Sequence, residues 1–217
     1  MIEDAEVHVF KGSIAQKEVS GFCLYDDEFP VIYINNSTAF ARQVFTLFHE
    51  LAHILLHING ITQLNDAYVD RLVGNNRQIE VFCNRFAAEM LIPTDHFKAR
   101  IGDFVPDEGF VEKLANEYKV SREVVLRRFL DHGRFSQRGY EEAVERWNEE
   151  FESRPRSSGG GDYYATQMAY LGDNYLDLAF SRNHQGTIDE QRLADYLGLS
   201  ARNLANLEQR YLNRRTS

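Results

Sequence analysis

Two histidines and a glutamate share one short segment, His49-Glu50-Leu51-Ala52-His53. On an α-helix, residues four apart lie one turn above each other and about 40° apart around the axis, so His49 and His53 can bind one metal ion. Glu50 lies at the edge of the same face, where it can act as a general base on a metal-bound water. The spacing therefore predicts a hydrolytic zinc site that keeps one position open for water.

Such a site needs a third protein ligand from another part of the chain. Glu80 is our preferred candidate, because it lies early on the next predicted helix and a helix fixes geometry better than a loop. Asp66 and Asp70, in the intervening loop, are the alternatives. Glu89 lies half a turn around the helix from Glu80, so the two glutamates cannot both face the metal.

Three further residues are candidates for the surroundings of the metal. His57 continues the spacing of the two histidines but lies about 12 Å along the axis from His49, so we expect it to cap the helix or support a ligand. Cys83 follows Glu80 by three residues, and its thiol is either a ligand or a buried apolar group. Asn84 lies one turn after Glu80 and can orient a ligand or hydrogen-bond a loop.

Two helices must position these side chains. Apolar residues recur at three- and four-residue spacing over residues 39–57, which predicts the helix that carries the two histidines. Asn59-Gly60 ends it, and the weakly patterned residues 61–75 are predicted to form a loop. The second helix is predicted over residues 77–91, because Pro93 follows it directly.

Residues 6–35 are predicted to form short strands. Residues 6–10 alternate, residues 21–25 are apolar, and residues 31–35 are β-branched and aromatic. The last of these strands has two interpretations that the sequence leaves equal. Ile32, Tyr33, Ile34 and Asn35 can bind an extended substrate by strand addition, or the strand can simply pack within the sheet.

Two similar helix-turn-helix-like units follow, at residues 112–130 and 191–207. A charged helix is predicted near 138–152, and a single helix over the apolar run 163–180. Each unit carries arginines that can contact phosphates, although we favour packing or protein docking over DNA binding. These arginines are Arg122, Arg127 and Arg128 in the first unit, and Arg202, Arg210, Arg214 and Arg215 in the second.

The chain has 217 residues, 43% of them apolar, and a formal net charge of −9, which is unlike a general nucleic-acid coat. Its two cysteines are not a disulfide framework. Cys23 is expected to be a buried, inert thiol, and the alternative is an inhibitory metal ligand. The acidic residues 1–6 do not resemble a signal peptide, and no stretch approaches about 18 apolar residues. We therefore expect a soluble, cytoplasmic protein with reduced thiols.

Two longer motifs resemble the ImmA/IrrE family of metallopeptidases: Phe45-Thr-Leu-Phe-His-Glu-Leu-Ala-His-Ile-Leu-Leu-His57 and Glu80-Val-Phe-Cys-Asn-Arg-Phe-Ala-Ala-Glu-Met-Leu-Ile-Pro93. The resemblance implies that His49 and His53 bind zinc, that Glu50 is the catalytic glutamate, and that Glu80 is the third, acidic ligand of a single ion. It also implies a protein substrate. Members of this family cleave or inactivate helix-turn-helix transcriptional repressors in the induction of mobile genetic elements and in DNA-damage responses.

The expected fold class is α+β, with a small N-terminal β-sheet packed on a zincin-like helical core and helix-turn-helix-like units after it. Arg154-Pro-Arg-Ser-Ser-Gly-Gly-Gly161 has the composition of a linker. The predicted divisions are a peptidase domain at 1–135, a charged helix and linker at 136–161, and a C-terminal helical domain at 162–217.

Two other functions remain open from the sequence. In the first, the protein binds a repressor or antitoxin without cutting it. In the second, it is a DNA-binding regulator whose zinc is only structural, which would require four protein ligands and no open position.

Overall fold

The computed structural model describes residues 7–16, 18–63, 69, 71–102, 106–153 and 161–215, without the side chains of residues 148, 151 and 152. It confirms the α+β fold class. The strands are β1 (His8–Gly12), β2 (Val19–Leu24), β3 (Val31–Asn35) and β4 (Gly60–Gln63). The helices are α1 (Phe40–Leu55), α2 (Gly74–Leu91), α3 (Thr94–Ile101), α4 (Glu108–Tyr118), α5 (Arg122–Asp131), α6 (Gln137–Ser153), α7 (Tyr163–Leu171), α8 (Asp173–His184), α9 (Glu190–Tyr196) and α10 (Leu204–Arg215). A 3₁₀ turn, Ala201–Asn203, precedes α10.

The four strands form one sheet in the order β1-β3-β2-β4. β3 pairs with β1 in parallel and with β2 in antiparallel orientation, so both of its edges are occupied. The prediction that Ile32, Tyr33, Ile34 and Asn35 bind substrate by strand addition is therefore wrong, because strand addition needs a free edge. These residues serve the sheet itself: the side chain of Asn35, for example, donates to the carbonyl of Val19 at 2.8 Å.

The outermost strand next to β2 is β4, which the sequence analysis placed in a loop. It pairs antiparallel with β2, with Phe22 opposite Ile61 and Cys23 opposite Gly60. Gly60 and Thr62 are buried, whereas Ile61 and Gln63 are exposed, so the strand alternates with period two. Only four residues carry this pattern, which is too short a stretch for periodicity alone to predict a strand.

The helix α1 lies between the sheet and α2. One face packs on the sheet, where Ile54 joins the buried cluster of Cys23, Ile32 and Ile34. Phe45, on another face, joins the core formed by α2 to α6. The helix ends before the predicted boundary because His57 adopts a left-handed conformation with φ of 58°, and the N–H of Ile58 then bonds to the carbonyl of His53.

The predicted helix over residues 163–180 is instead two helices, α7 and α8. Gly172 lies between them with φ of 79°, a conformation that glycine adopts without steric cost and that ends α7. Together with α9 and α10 they surround a separate apolar cluster that includes Leu176, Leu197 and Leu207.

The arginines offered for phosphate contact are largely engaged within the chain. Arg128 is 6% exposed and donates to Glu89 at 2.9 Å and to Thr94 at 2.6 Å. The other pairs are Arg122 with Glu150, Arg127 with Asp131, Arg210 with Asp162, Arg214 with Asp173 and Arg215 with Asp177. The preference for packing or protein docking over DNA binding stays a prediction for both helix-turn-helix-like units.

Among the described residues, the longest and most apolar helices still fall short of what crossing a bilayer requires.

Candidate metal centre

The side chains of the HExxH segment are buried on α1. His49 and Glu50 have no exposed surface, and His53 is almost fully covered. The adjacent helix α2 brings Glu80 to them: its carboxylate oxygens lie 3.2 Å from Nε2 of His49 and 3.4 Å from Nε2 of His53. The two Nε2 atoms are 3.2 Å apart. The two imidazole nitrogens and the two carboxylate oxygens of Glu80, from two helices, therefore lie close together.

The spacing of these atoms fits a tetrahedral metal ion. Zinc holds nitrogen and oxygen ligands at about 2.0–2.2 Å, so neighbouring ligands in a tetrahedron are about 3.3 Å or slightly more apart. The two Nε2 atoms are 3.2 Å apart, Oε2 of Glu80 lies 3.2 Å from Nε2 of His49, and Oε1 lies 3.4 Å from Nε2 of His53, which are separations of this size. Two imidazoles and one carboxylate are also the ligand types of a catalytic zinc site with one open position. That these residues bind the ion remains a prediction, and the donor set supports it.

Asn84 fixes the orientation of His49. Oδ1 of Asn84 lies 2.9 Å from Nδ1 of His49. Because an amide oxygen only accepts hydrogen bonds, Nδ1 must carry the proton, which leaves the lone pair of Nε2 directed at the point where the ligands meet. Glu80 and Asn84 lie one turn apart on α2, so a single helix face supplies both a ligand candidate and its support.

Glu50 contacts β4. The hydroxyl of Thr62 donates to Oε1 of Glu50 at 2.5 Å, while Oε2 is buried and has no hydrogen-bond partner among the described residues. A carboxylate held by one oxygen, with the other oxygen available, suits a group that must accept a proton.

Gly60 lets β4 approach this close to α1. A Cβ atom at this position would lie 2.6 Å from Cδ2 of His53 and 2.9 Å from Oε2 of Glu50. Any larger residue would push the strand away from the two side chains. Neither Gly60 nor Thr62 was predicted from the sequence to lie at this site, because the two inward residues of Gly60-Ile-Thr-Gln63 give almost no hydrophobic signal.

Cys83 lies beside the histidines, with ligand atoms of His49, His53 and Cys83 all within 4.8 Å of one another. Burial raises the pKa of this thiol to about 12, and the carboxylates of Glu80 and Glu50 add to the effect. At neutral pH it is therefore an uncharged thiol in the metal-free protein. The structure thus brings two candidates for the third ligand, Glu80 and Cys83, beside the two imidazoles, and the choice of Glu80 stays a prediction.

The remaining candidates make other contacts. Cys23, on β2, is buried and its thiol donates to the carbonyl of Ile58 at 3.8 Å; burial, and then the nearby Glu50 carboxylate, raises its pKa. His57 stacks on Tyr25 at 4.7 Å, beyond the end of α1. Asp66 and Asp70 lie outside the described residues.

Comparison with known families agrees with this site. Residues 2–130 match the family described as the IrrE N-terminal-like domain, so the chain belongs to the ImmA/IrrE family of metallopeptidases. The radiation response metalloprotease IrrE of Deinococcus deserti is 37% identical over 100 residues, which are 45% of this chain and 34% of that protein. IrrE of Deinococcus radiodurans is 32% identical over 104 residues, 47% of this chain and 31% of that protein. The matched part thus spans about a third of each relative's length.

Proposed function

We propose that this protein is a zinc-dependent endopeptidase that cleaves a partner protein in a regulatory response. The observation that carries the proposal is the convergence of His49, His53 and Glu80 within 3.4 Å, next to the buried Glu50. Family membership and the names of the two relatives support the class of reaction.

Each side chain has a role in this proposal. His49, His53 and Glu80 would hold the ion, which when bound supplies Lewis acidity to a water molecule and to the scissile carbonyl. Glu50 accepts the proton of the attacking water at Oε2 and later delivers it to the leaving amine. Thr62 keeps Oε1 of Glu50 occupied, and Asn84 keeps His49 in the tautomer that can bind a metal.

The substrate would be bound along β4. Among the described residues this strand pairs only with β2, so its other edge can accept an extended peptide through main-chain hydrogen bonds. Its buried residues Gly60 and Thr62 contact the side chains of His53 and Glu50. A peptide on this edge would therefore lie close to the general base.

For the partner, we propose a helix-turn-helix transcriptional repressor, on the strength of the family resemblance. The arginine pairs described above favour a unit that packs or docks onto proteins over one that binds DNA. The alternative is a DNA-binding regulator whose zinc is only structural. In that case the purified protein would shift duplex DNA in a salt-dependent manner, and regulation would not need endopeptidase activity.

The test is to purify the protein with its co-purifying partner from the host, using Glu50→Gln to trap the complex. Incubation of that partner with zinc-loaded wild-type protein should produce defined new termini. Chelation should abolish the cleavage, and Glu50→Gln should slow it by about 10² to 10⁴-fold. Cleavage that continues at the wild-type rate with Glu50→Gln would overturn the mechanism, and relief of repression by that variant would show that binding alone suffices.

A further inference from the structure

The outer face of the sheet carries an apolar row that crosses all four strands. Tyr33 on β3 lies opposite both Phe10 on β1 and Phe22 on β2, and Phe22 lies opposite Ile61 on β4. The rings of Phe22 and Tyr33 stack at 5.2 Å. Phe10 at the other end contacts Tyr175 of α8 edge-on at 4.8 Å. The row is thus covered at β1 and ends in solvent at β4.

Ile61 is the exposed end of this row. It is 63% exposed, although its neighbours Gly60 and Thr62 are buried against Glu50 and His53. A β-branched apolar residue beside an aromatic one is a favourable cross-strand pair, but on the side away from Phe22 Ile61 meets no strand among the described residues.

The backbone of β4 has the same asymmetry. The hydroxyl of Ser20 donates to the carbonyl of Thr62 at 3.1 Å, so this carbonyl faces β2. Along an antiparallel strand the direction of the peptide groups alternates from residue to residue. The N–H and C=O of Ile61 therefore face the outer edge, where a bound peptide would pair with them.

We infer that Ile61 is a specificity-determining residue that selects an apolar side chain in the bound substrate. This inference rests on the proposed endopeptidase function and extends it to the substrate's sequence. A peptide paired with β4 places one of its residues opposite Ile61, on the outer face of the sheet. The side chain of that residue packs beside Ile61 and extends the apolar row that contains Phe22 and Ile61. Its neighbours along the peptide point to the opposite face, toward Glu50 and the metal ligands. The selected residue is aliphatic or aromatic and lies at a fixed distance from the scissile bond.

The inference is tested by digesting a peptide library made from a denatured bacterial proteome with zinc-loaded protein and sequencing the new termini. Wild-type cleavage sites should show about two- to fivefold enrichment of apolar residues at one position. Ile61→Glu should abolish this enrichment and favour Lys or Arg at the same position. Ile61→Thr, which keeps the β-branched shape, should cleave with a weaker apolar preference.

Met90→Glu is the matched control. Met90 is also an exposed apolar residue, at 49%, but it lies ten residues from Glu80, about 15 Å along α2. The Met90→Glu variant should show the same cleavage pattern as the wild type. A different outcome is that the wild type, Ile61→Glu and Ile61→Thr all show the same Glu50-dependent cleavage pattern. That result would overturn the role of Ile61 but not the proposed endopeptidase function. Absence of any Glu50-dependent cleavage would overturn both.

Discussion

The hydroxyl of Thr62 donates a hydrogen bond to Oε1 of Glu50 over 2.5 Å, and both side chains are buried. This contact joins β4, the strand with the free edge, to Glu50, the group that would take the proton from water. A single short strand thus has two roles: one face holds the general base, and the outer edge is available to a substrate.

Thr62→Val should reduce kcat by about 10- to 100-fold, because the unpaired Glu50 carboxylate loses the contact that orients it. The KM and the zinc content should change little, since Thr62 contacts neither the ligand atoms nor the free edge. Thr62→Ser keeps the hydroxyl and should recover most of the activity. The measurements are steady-state kinetics and metal analysis of the two variants. Equal kcat values for Thr62→Val and wild type would exclude a positioning role.

Asn84→Leu should weaken zinc binding by about 10- to 100-fold, because Nδ1 of His49 loses its only described acceptor and the ring is no longer held. Competition with a chromophoric chelator measures this affinity directly. Arg85→Ala alters the exposed neighbour on the same helix and serves as the control. The interpretation fails if both variants bind zinc as tightly as the wild type.

Gly60→Ala should destabilise the protein by about 1–3 kcal/mol, because the added methyl group overlaps His53 and Glu50 and the backbone must shift. The matched substitution is Gly109→Ala at the start of α4, where the methyl group meets only Asp107 at 3.5 Å. It should be neutral or stabilising by up to about 1 kcal/mol. Urea denaturation of the metal-free proteins compares the two, and similar midpoints would contradict the close approach of β4.

The pH dependence of stability should include a contribution from Glu89. Burial tends to raise its pKa, but hydrogen bonds from Thr94 and Arg128 outweigh this effect and lower the pKa from its ordinary value. A lowered folded-state pKa gives stability that is present above the unfolded pKa, about 4.3, and is lost as pH falls through the folded value. Between about pH 5 and 3, the wild-type melting temperature should fall more steeply than that of Glu89→Gln.

The control for this experiment is Glu112→Gln, which removes an exposed carboxylate of the same type from α4. It accounts for the change in net charge without touching the contact between α2, α3 and α5. Parallel slopes for the wild type and Glu89→Gln would show that the Glu89–Arg128 pair does not contribute to acid sensitivity.

The sequence predicted well those features that depend on local periodicity. Spacings of three or four residues predicted the helix with His49 and His53 and the following helix with Glu80. The same spacing placed Asn84 one turn after Glu80. The strand order could not be derived in this way, because pairing joins residues far apart in sequence. β3 was accordingly offered as a substrate strand although both its edges are paired, and β4 was missed because its inward residues are Gly60 and Thr62, which give almost no hydrophobic signal.

The depth of the ligands has a consequence for how the ion enters and leaves. His49 and His53 are sealed between α1, α2 and the sheet, whereas the Glu80 side chain retains 12% of its exposure. Of His49, His53 and Glu80, Glu80 is thus the ligand candidate most exposed to solvent. An arriving ion would meet this carboxylate first and exchange its hydration shell for imidazole afterwards, so substitutions at Glu80 should alter the rate of metal uptake as well as its equilibrium.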